Sequence, residues 1–187
     1  FHATKNITTG EGGLIVTNNK TFAEKIQLYR SHGVKKKRYY HIVSGHNFRI
    51  TNFQAAMGCA QLTKINYIIN KRKKLYQKYL SEIIKLNNNL SIQKIEKICN
   101  FVPWTFAIKI DKNFKFSRDQ VISKLLKQNI ETRNGFYSPN NLRLFKKNNN
   151  LKNSDILSKN VICLPVHLHM KLKDISQIIN KLGKFLK

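Results

Sequence analysis

The sequence of 187 residues predicts an α/β fold, with α+β as the alternative, because helical and strand-like patterns alternate along it. Apolar residues recur at steps of three and four over residues 52–86, which is typical of an amphipathic helix. Apolar and polar residues alternate over residues 104–110, which is typical of a half-buried strand. Hydrophobic residues make up 41% of the chain, which is enough to form a packed core.

Glycine and capping signals define the first elements. Residues 10–17 read Gly-Glu-Gly-Gly-Leu-Ile-Val-Thr, which predicts a turn and then a short buried strand. Thr21 and Glu24 form a capping-box pattern, so a helix is expected to begin there and to end near Gly33. A basic loop follows over residues 35–38.

A second capping box opens the longest helical pattern. Thr51 and Gln54 have the required spacing, and the apolar periodicity that follows continues to residue 86. The run of asparagines at residues 87–89 predicts the end of this helix and an internal boundary of the chain.

The last third of the chain contains shorter elements. Ser117 and Gln120 form a third capping box in front of a helix. A long polar loop is predicted over residues 137–150, followed by a short strand over residues 161–166 that a proline interrupts. Apolar residues at helical spacing from Ile175 onward predict a final amphipathic helix.

The formal charge of +26 has two explanations. A basic surface attracts nucleic acid without sequence specificity. Alternatively, the charge reflects a composition biased towards lysine, asparagine and isoleucine, the residues that a genome rich in A and T favours. We prefer the second explanation and expect no specific nucleic-acid partner, because lysine is spread along the whole chain without a discrete basic tail. An anionic small substrate would also suit a basic site.

Cysteine usage and hydropathy indicate the compartment. Cys59, Cys99 and Cys163 are far apart and lack metal-ligand spacing, which predicts free thiols in a reducing environment and no metal site. No apolar run approaches the ~18 residues of a membrane-spanning helix, and no signal-peptide pattern is found. We therefore expect a cytoplasmic protein without a membrane partner.

The strongest chemical signal lies in residues 1–13, which read Phe-His-Ala-Thr-Lys-Asn-Ile-Thr-Thr-Gly-Glu-Gly-Gly. Lys5 is an amine in a segment of small and hydroxylic residues. Glycines allow a ligand to approach the backbone closely, and hydroxyl and backbone N–H groups bind phosphate. A lysine in such a pocket reacts with an aldehyde. The same residues also fit a surface lysine before a glycine turn, so both interpretations stay open at this point.

This segment resembles the lysine motif of the pyridoxal-phosphate-dependent sugar aminotransferases that act on nucleotide-linked keto sugars. Lys5 takes the position of the lysine that bonds to the cofactor, and residues 10–13 take that of the glycine-rich turn. Residues 45–62 resemble the family's most recognisable second block. Residues 104–106 and 130–133 resemble parts of its small domain. The resemblance covers essentially the whole chain.

The resemblance implies a fold and a domain organisation. The fold would be the carboxy-terminal part of the large aminotransferase fold (fold type I) with a small α/β domain. Residues 1–52 would end the cofactor-binding large domain, residues 53–86 would form a long connecting helix, and residues 87–187 would form the small domain. Since the chain begins inside the lysine motif, the amino-terminal half of the family's fold is expected to be missing.

The resemblance also implies roles for four residues. Lys5 would be catalytic and would hold pyridoxal 5'-phosphate. His2 and Asn47 would contact the cofactor, and Asn47 would reach its phosphate in the neighbouring subunit of a homodimer with shared active sites. Arg133 would bind the diphosphate of the substrate. For His2, Asn47 and Arg133, a purely structural role agrees equally well with the residues alone.

The function implied is an aminotransferase of the perosamine-synthase type. It would transfer an amino group, commonly from glutamate in this family, to a nucleotide-linked 4-keto-6-deoxy sugar used in cell-surface polysaccharide or lipopolysaccharide. A UDP-linked 4-keto amino sugar is the runner-up substrate. A catalytically incomplete fragment of such an enzyme is one alternative, and a basic nucleic-acid-binding protein is another.

Overall fold

The computed structural model describes residues 1–86 and 90–185. The chain divides into two compact units, Phe1–Ile65 and Asn66–Lys187. Their boundary falls inside the predicted connecting segment, residues 53–86. The first unit contains two helices and the beginning of a third, and the second contains a four-stranded sheet with helices. In chain order the elements are α1 (Lys20–Arg30), α2 (Asn52–Leu62), α3 (Ile65–Ile83), β1 (Leu90–Ile92), β2 (Phe106–Ile110), α4 (Arg118–Leu126), β3 (Arg133–Asn134), α5 (Lys152–Asn160), β4 (Val161–Leu164) and α6 (Leu172–Gly183).

Helix α1 begins one residue before the predicted capping box. The side chain of Asn19 caps the helix, because its Oδ1 accepts a hydrogen bond from Phe22 N at 3.0 Å. Asparagine is among the most favourable residues at this position. The predicted box of Thr21 and Glu24 is therefore wrong, since both residues already lie within the helix.

The predicted buried strand after the glycine turn is also wrong. Residues 14–17 form no strand, and Leu14, Ile15 and Val16 are 74%, 69% and 83% exposed. A strand requires a neighbour that supplies backbone hydrogen bonds. Among the described residues, no strand pairs with this segment.

The long helical pattern is divided into α2 and α3. The predicted capping box at its start is confirmed, since the side chains of Thr51 and Gln54 each bond to the other residue's backbone. The break lies at Thr63, whose hydroxyl donates to Ala60 O at 2.9 Å. Such side-chain bonds compete with regular helical bonds and favour a turn. Helix α3 ends at Ile83, and the asparagine run at residues 87–89 lies outside the described residues.

The four strands form an antiparallel sheet in the order β1-β2-β4-β3. The alternation predicted for β2 is confirmed, because Phe106, Ile108 and Ile110 are buried while the residues between them are half-buried. The predicted strand near residues 161–166 is confirmed as β4. Antiparallel pairing with helices packed against the sheet corresponds to the α+β alternative for this unit.

Apolar faces of α3, α4 and α6 pack with the sheet into one core. Leu75 and Tyr79 of α3 and Ile175 of α6 are fully buried in it. The hydroxyl of Tyr79 donates to Pro165 O at 2.9 Å, so the buried polar atom is satisfied. Burial raises the pKa of Tyr79, and the charge of Asp174 raises it further.

Three elements of this unit were not predicted, namely β1, β3 and α5. The three-residue strand β1 is too short to show a period, and it is recognised only by its pairing with β2. Helix α5 directly follows the predicted polar loop, and its polar composition hides its helical character. The capping box of Ser117 and Gln120 at the start of α4 is confirmed.

Candidate functional site

The segment around Lys5 is a closed turn stabilised by hydrogen bonds. The carbonyl oxygen of Phe1 accepts bonds from Thr9 N and Thr8 Oγ1, both at 3.0 Å. Lys5 N donates to His2 O at 2.9 Å. Thr9 is buried, with 4% of its surface exposed, whereas Lys5 is exposed. The turn therefore fixes its backbone from within and presents the lysine side chain at its surface.

Helix α2 attaches this turn to the rest of the first unit. Gln61 Oε1 accepts a bond from Thr8 N at 3.0 Å, and Gln61 Nε2 donates to Thr8 O at 2.5 Å. Gly58, one helical turn earlier, leaves room for Thr9, because a Cβ there would lie 3.2 Å from Thr9 Cγ2. The backbone three residues beyond Lys5 is thus held in register by a side chain 53 positions further along the chain.

Gln61 and Gly58 belong to the block of residues 45–62, and their spacing predicts no role for either. The feature of the sequence that could have indicated a role for Gln61 is the chemistry of its side chain. A glutamine carries both a donor and an acceptor, as one peptide unit does, so a helical glutamine is suited to holding an extended backbone segment.

His2 and Glu11 approach each other across the turn. His2 Nε2 lies 3.6 Å from Glu11 Oε1, and His2 Nδ1 lies 3.1 Å from Thr4 Oγ1. The backbone carbonyl of Glu11 accepts a hydrogen bond from the hydroxyl of Thr9. Glu11 therefore contributes both its side chain and its backbone carbonyl to the contacts within the turn.

Asn47 lies on a segment that folds back against the end of α1. Its Oδ1 accepts a bond from Arg49 Nε at 3.3 Å, and Arg49 Nη2 lies 3.3 Å from His32 Nε2. His46 N and Phe48 N donate to carbonyls at the end of α1, at 2.7 and 3.0 Å. Arg49 thus contacts the side chains of both Asn47 and His32.

Gly33 allows the segment that carries Asn47 to fold back against the end of α1. It has φ +70°, a conformation that favours glycine, and an added Cβ would lie 2.0 Å from Val43 O. The predicted stop signal for α1 is therefore also the point where the returning segment packs against the chain.

A concavity of about 940 Å³ lies within the first unit. Its lining includes the glycine-rich turn at residues 11–13, Asn47, Arg49 and Ile50, together with one face of α1. The structure thus brings Asn47 and the glycine-rich turn to one cavity. Lys5 and His2 lie in the adjoining turn and are not part of this lining.

Arg133 lies in the second unit, at the start of β3. It is exposed and pairs with Cys163 of β4. Burial raises the pKa of the Cys163 thiol, while a hydrogen bond from Thr105 and the positive charge of Arg133 act in the opposite direction. Arg133 and Thr105 therefore lie near the same sulfur atom.

Among the residues that the structure describes, no helix combines the length and the apolar content that crossing a membrane requires.

Comparison with known proteins places these features in a family. Residues 1–183 match the DegT/DnrJ/EryC1/StrS aminotransferase family. GDP-perosamine synthase of Caulobacter vibrioides is 30% identical over 189 residues, which cover 100% of this chain and 51% of that protein. The UDP-4-amino-4,6-dideoxy-N-acetyl-beta-L-altrosamine transaminase of Campylobacter jejuni is 32% identical over 180 residues, which cover 93% of this chain and 48% of that protein. The chain thus spans about half the length of the curated relatives it matches.

A solved structure supports the same fold. Helicobacter pylori PseC, an aminotransferase involved in the biosynthesis of pseudoaminic acid, superposes with a TM-score of 0.85 at 28% identity, covering 100% of this chain and 52% of PseC. The predicted fold, the carboxy-terminal part of the aminotransferase fold, is confirmed by this match.

Proposed function

Since the chain belongs to the DegT/DnrJ/EryC1/StrS aminotransferase family, we propose that it forms part of a pyridoxal-phosphate-dependent enzyme that aminates a nucleotide-linked sugar. The observation that carries this proposal is the turn around Lys5. It presents one amine at its surface while its backbone is fixed to α2 through Gln61. In this proposal residues 1–52 form the last part of the cofactor-binding domain. Residues 53–86 connect that domain to the small domain, which residues 87–187 form.

The residues present fit pyridoxal phosphate. The aldehyde requires an accessible amine, which Lys5 offers. The phosphate requires N–H and hydroxyl donors, and the glycine-rich turn of one chain together with Asn47 of the neighbouring subunit would supply such groups. Asn6 Oδ1 is buried without a hydrogen-bond partner among the described residues, so the turn retains an unused acceptor.

In the proposed mechanism the protein positions groups and moves one proton. When bound, the cofactor supplies an electron sink for the carbon that loses or gains the amino group. Lys5 would hold the cofactor through its Nζ. The same amine would remove and return the proton at the reacting carbon. Asn47 of the neighbouring subunit would donate its amide N–H to the phosphate, and His2 would contact the ring or the phosphate.

The substrate proposed is a 4-keto-6-deoxy sugar linked to a nucleoside diphosphate, with glutamate as the amino donor. The support is the similarity to GDP-perosamine synthase and to a UDP-linked amino-sugar transaminase. Arg133 is suited to the diphosphate because a guanidinium matches phosphate oxygens with two parallel hydrogen bonds.

Covalent trapping tests the role of Lys5. The protein is incubated with pyridoxal phosphate, reduced with borohydride and digested, and the labelled peptide is identified by mass spectrometry. We expect the label on Lys5, and we expect Lys5→Arg to lose both the label and turnover, because guanidinium is not a usable amine at neutral pH. Lys20→Arg, which changes another exposed lysine of the same unit, should retain both. A label that persists in Lys5→Arg contradicts the proposal.

Complementation tests whether Asn47 acts across a homodimer. Asn47→Ala should weaken cofactor binding about ten- to a hundredfold, because a charge-assisted hydrogen bond contributes about 1.5–3 kcal/mol. If Lys5 and Asn47 of one site come from different subunits, mixing Lys5→Ala with Asn47→Ala creates one intact site per mixed dimer. Partial activity should then return. Mixed dimers without activity would place both residues in the same subunit.

A further inference from the structure

Two side chains of the first unit form a chain of contacts that ends at Asn47. Arg49 Nε donates to Asn47 Oδ1 at 3.3 Å, and Arg49 Nη2 lies 3.3 Å from His32 Nε2. An arginine side chain carries only donors and stays protonated in proteins. Both atoms that face the guanidinium must therefore accept a hydrogen bond from it. We call these three residues the His32–Arg49–Asn47 relay.

The contact with Arg49 fixes the orientation of the Asn47 carboxamide. The oxygen and the nitrogen of a carboxamide lie on opposite sides of one planar group, so an oxygen that faces Arg49 turns Nδ2 away from it. A carboxamide rotated by half a turn would place its N–H donors against those of the guanidinium, where no acceptor is present. Nδ2 carries both donors of the Asn47 side chain. The direction of these donors is thus set before any phosphate arrives.

The same contact fixes the proton of the His32 ring. In a neutral imidazole one ring nitrogen is a donor and the other is an acceptor. Because Nε2 accepts from Arg49, the proton of His32 lies on Nδ1. A doubly protonated ring has no acceptor to offer and would release Arg49.

The backbone holds His32 where this contact requires it. His32 has φ 62°, in the left-handed region that favours glycine and is uncommon for other residues. Its N–H donates to His46 O at 2.9 Å, and its carbonyl oxygen accepts from His41 Nδ1 at 2.6 Å. Unusual backbone conformations persist where the surrounding structure determines them, and they cluster at functional sites. A histidine at this position is accounted for by the ring acceptor that it supplies to Arg49.

The backbone of Asn47 is fixed as well. Ser31 and Asn47 form an isolated antiparallel bridge, and the amides on both sides of Asn47 donate to carbonyl oxygens at the end of α1, at 2.7 and 3.0 Å. His32 directly follows Ser31, so the two ends of the relay lie on paired segments. What the backbone does not determine is the rotation of the Asn47 side chain, and Arg49 acts on that rotation.

We propose that His32 and Arg49 are positioning residues that orient the carboxamide of Asn47 towards the phosphate of the cofactor. Arg49 holds the Asn47 oxygen, and His32 holds Arg49 by accepting from its Nη2. Arg49 is exposed, and a free arginine side chain has many conformations, so a second acceptor favours the conformation that reaches Asn47. This proposal rests on the proposed function, which assigns Asn47 to the phosphate, and it names the residues that act through Asn47.

Nuclear magnetic resonance of the isotope-labelled chain, without cofactor, tests the relay in the unaltered protein. Nitrogen spectra of the histidine rings distinguish the two neutral tautomers. We expect His32 to carry its proton on Nδ1 at neutral pH, with Nε2 unprotonated. Relaxation of the Asn47 side-chain amide should show that it is ordered. A proton on Nε2 of His32, or a mobile Asn47 amide, overturns the proposal without any variant.

Matched variants show what orders Asn47. His32→Asn keeps a residue that tolerates the left-handed conformation but is too short to place an acceptor where Nε2 lies. Arg49→Lys keeps the charge but loses the fork that reaches two acceptors. The Asn47 amide should become mobile in both. The control His46→Asn changes a neighbouring ring that stacks on Phe48, and it should leave Asn47 ordered. An Asn47 amide that stays ordered in both variants contradicts the proposal.

A double-mutant cycle tests whether His32 acts through Asn47. His32→Asn should weaken the binding of pyridoxal phosphate about three- to tenfold in an absorbance titration, the effect of about one neutral hydrogen bond. In the Asn47→Ala background the same substitution should have no further effect, because no carboxamide remains to be oriented. Additive losses would show that His32 only supports the fold of the segment and would overturn its positioning role.

Two readouts separate this proposal from the one on which it rests. The His32 tautomer and the order of Asn47 are measured without cofactor, whereas trapping at Lys5 tests the aminotransferase function. A chain that is labelled at Lys5 but has a mobile Asn47 keeps that function and loses the two positioning residues. A chain with an ordered Asn47 that is not labelled at Lys5 loses the aminotransferase function instead.

Discussion

In residues 66–187 the apolar side chains of α3, the sheet and α6 pack into one buried core, with Leu75, Phe106 and Ile175 fully buried. In residues 1–65 the large apolar side chains are mostly exposed. Val16 is 83% exposed and Phe53 is 76% exposed. Among the described residues, every buried large apolar side chain belongs to the second unit. The two units are therefore held by different forces.

The first unit keeps its local shape through hydrogen bonds and close glycine contacts. Gln61 holds the turn at Thr8, and Gly33 allows the segment near Val43 to pack against the end of α1. Directional bonds define atomic positions without a large core, whereas hydrophobic burial is non-directional. The segment that carries the proposed chemistry is thus positioned by bonds that individually contribute little to the stability of the chain.

The largest difference between the two units is expected in the free energy of unfolding that is lost when a phenylalanine is replaced by alanine. Phe106 is fully buried and stacks on Tyr79 at 4.7 Å, so Phe106→Ala should lower the free energy of unfolding by about 3–5 kcal/mol. Phe22→Ala removes the same ring from the first unit, where it is 61% exposed, and should cost no more than about 0.5 kcal/mol. Urea unfolding followed by far-ultraviolet circular dichroism, which detects the helices of both units, measures both losses. Equal losses would show that the first unit has a core of comparable strength.

A smaller effect is expected at the glycine contact of the first unit. Gly33→Ala places a Cβ against Val43 O and forces a left-handed conformation, which should cost about 1–3 kcal/mol in strain alone. Gly13→Ala is the matched control, since an added Cβ there meets no atom within 4 Å. Amide hydrogen exchange should become faster at His46 and Phe48 in the first variant only. Unchanged exchange at both amides would mean that this contact does not hold the segment.

The next prediction concerns the hydrogen bonds between Gln61 of α2 and the turn around Lys5. Gln61→Glu replaces the donor to Thr8 O by an acceptor, which should destabilise the turn locally by about 1–3 kcal/mol. Borohydride trapping at Lys5 should fall severalfold, while urea unfolding of the second unit stays the same. Gln27→Glu, an exposed change on α1, should alter neither measurement. Full trapping in Gln61→Glu would show that the turn does not need this anchor.

The smallest effect concerns one hydroxyl of the core. Tyr79→Phe removes the bond to Pro165 O, which should cost about 1 kcal/mol near neutral pH. Because burial raises the pKa of Tyr79 in the folded state, the unfolded chain ionises first, and this contribution to stability is lost as the pH rises above about 10. Stability should therefore fall less steeply above about pH 10 in the variant than in the unaltered chain. Parallel pH profiles would contradict this role.

Local signals in the sequence predicted local structure well. The capping boxes at Thr51 and Ser117 mark the starts of α2 and α4, because both partners of each box lie within four residues. The alternation that ends at Ile110 marks β2, because a strand with one buried face repeats every two residues.

Signals that depend on distant partners were less reliable. The apolar segment at residues 14–17 has the composition of a strand, but a strand also needs a neighbouring strand. Helix α5 stayed hidden because its residues are mostly polar, and it is recognised through Asp155 and its bonds to the preceding loop.

By itself, the sequence determined the chemistry that is available. It places Lys5 before a glycine-rich turn and Asn47 before α2, and the resemblance of these segments to the family implies their roles. Only the tertiary structure determined which of these groups are in contact. It brings Gln61 to Thr8 across 53 positions and Phe136 to Trp104 across two parts of the second unit. The physical reason is that spacing encodes contacts within a few residues, whereas a long-range contact depends on the path of the whole chain.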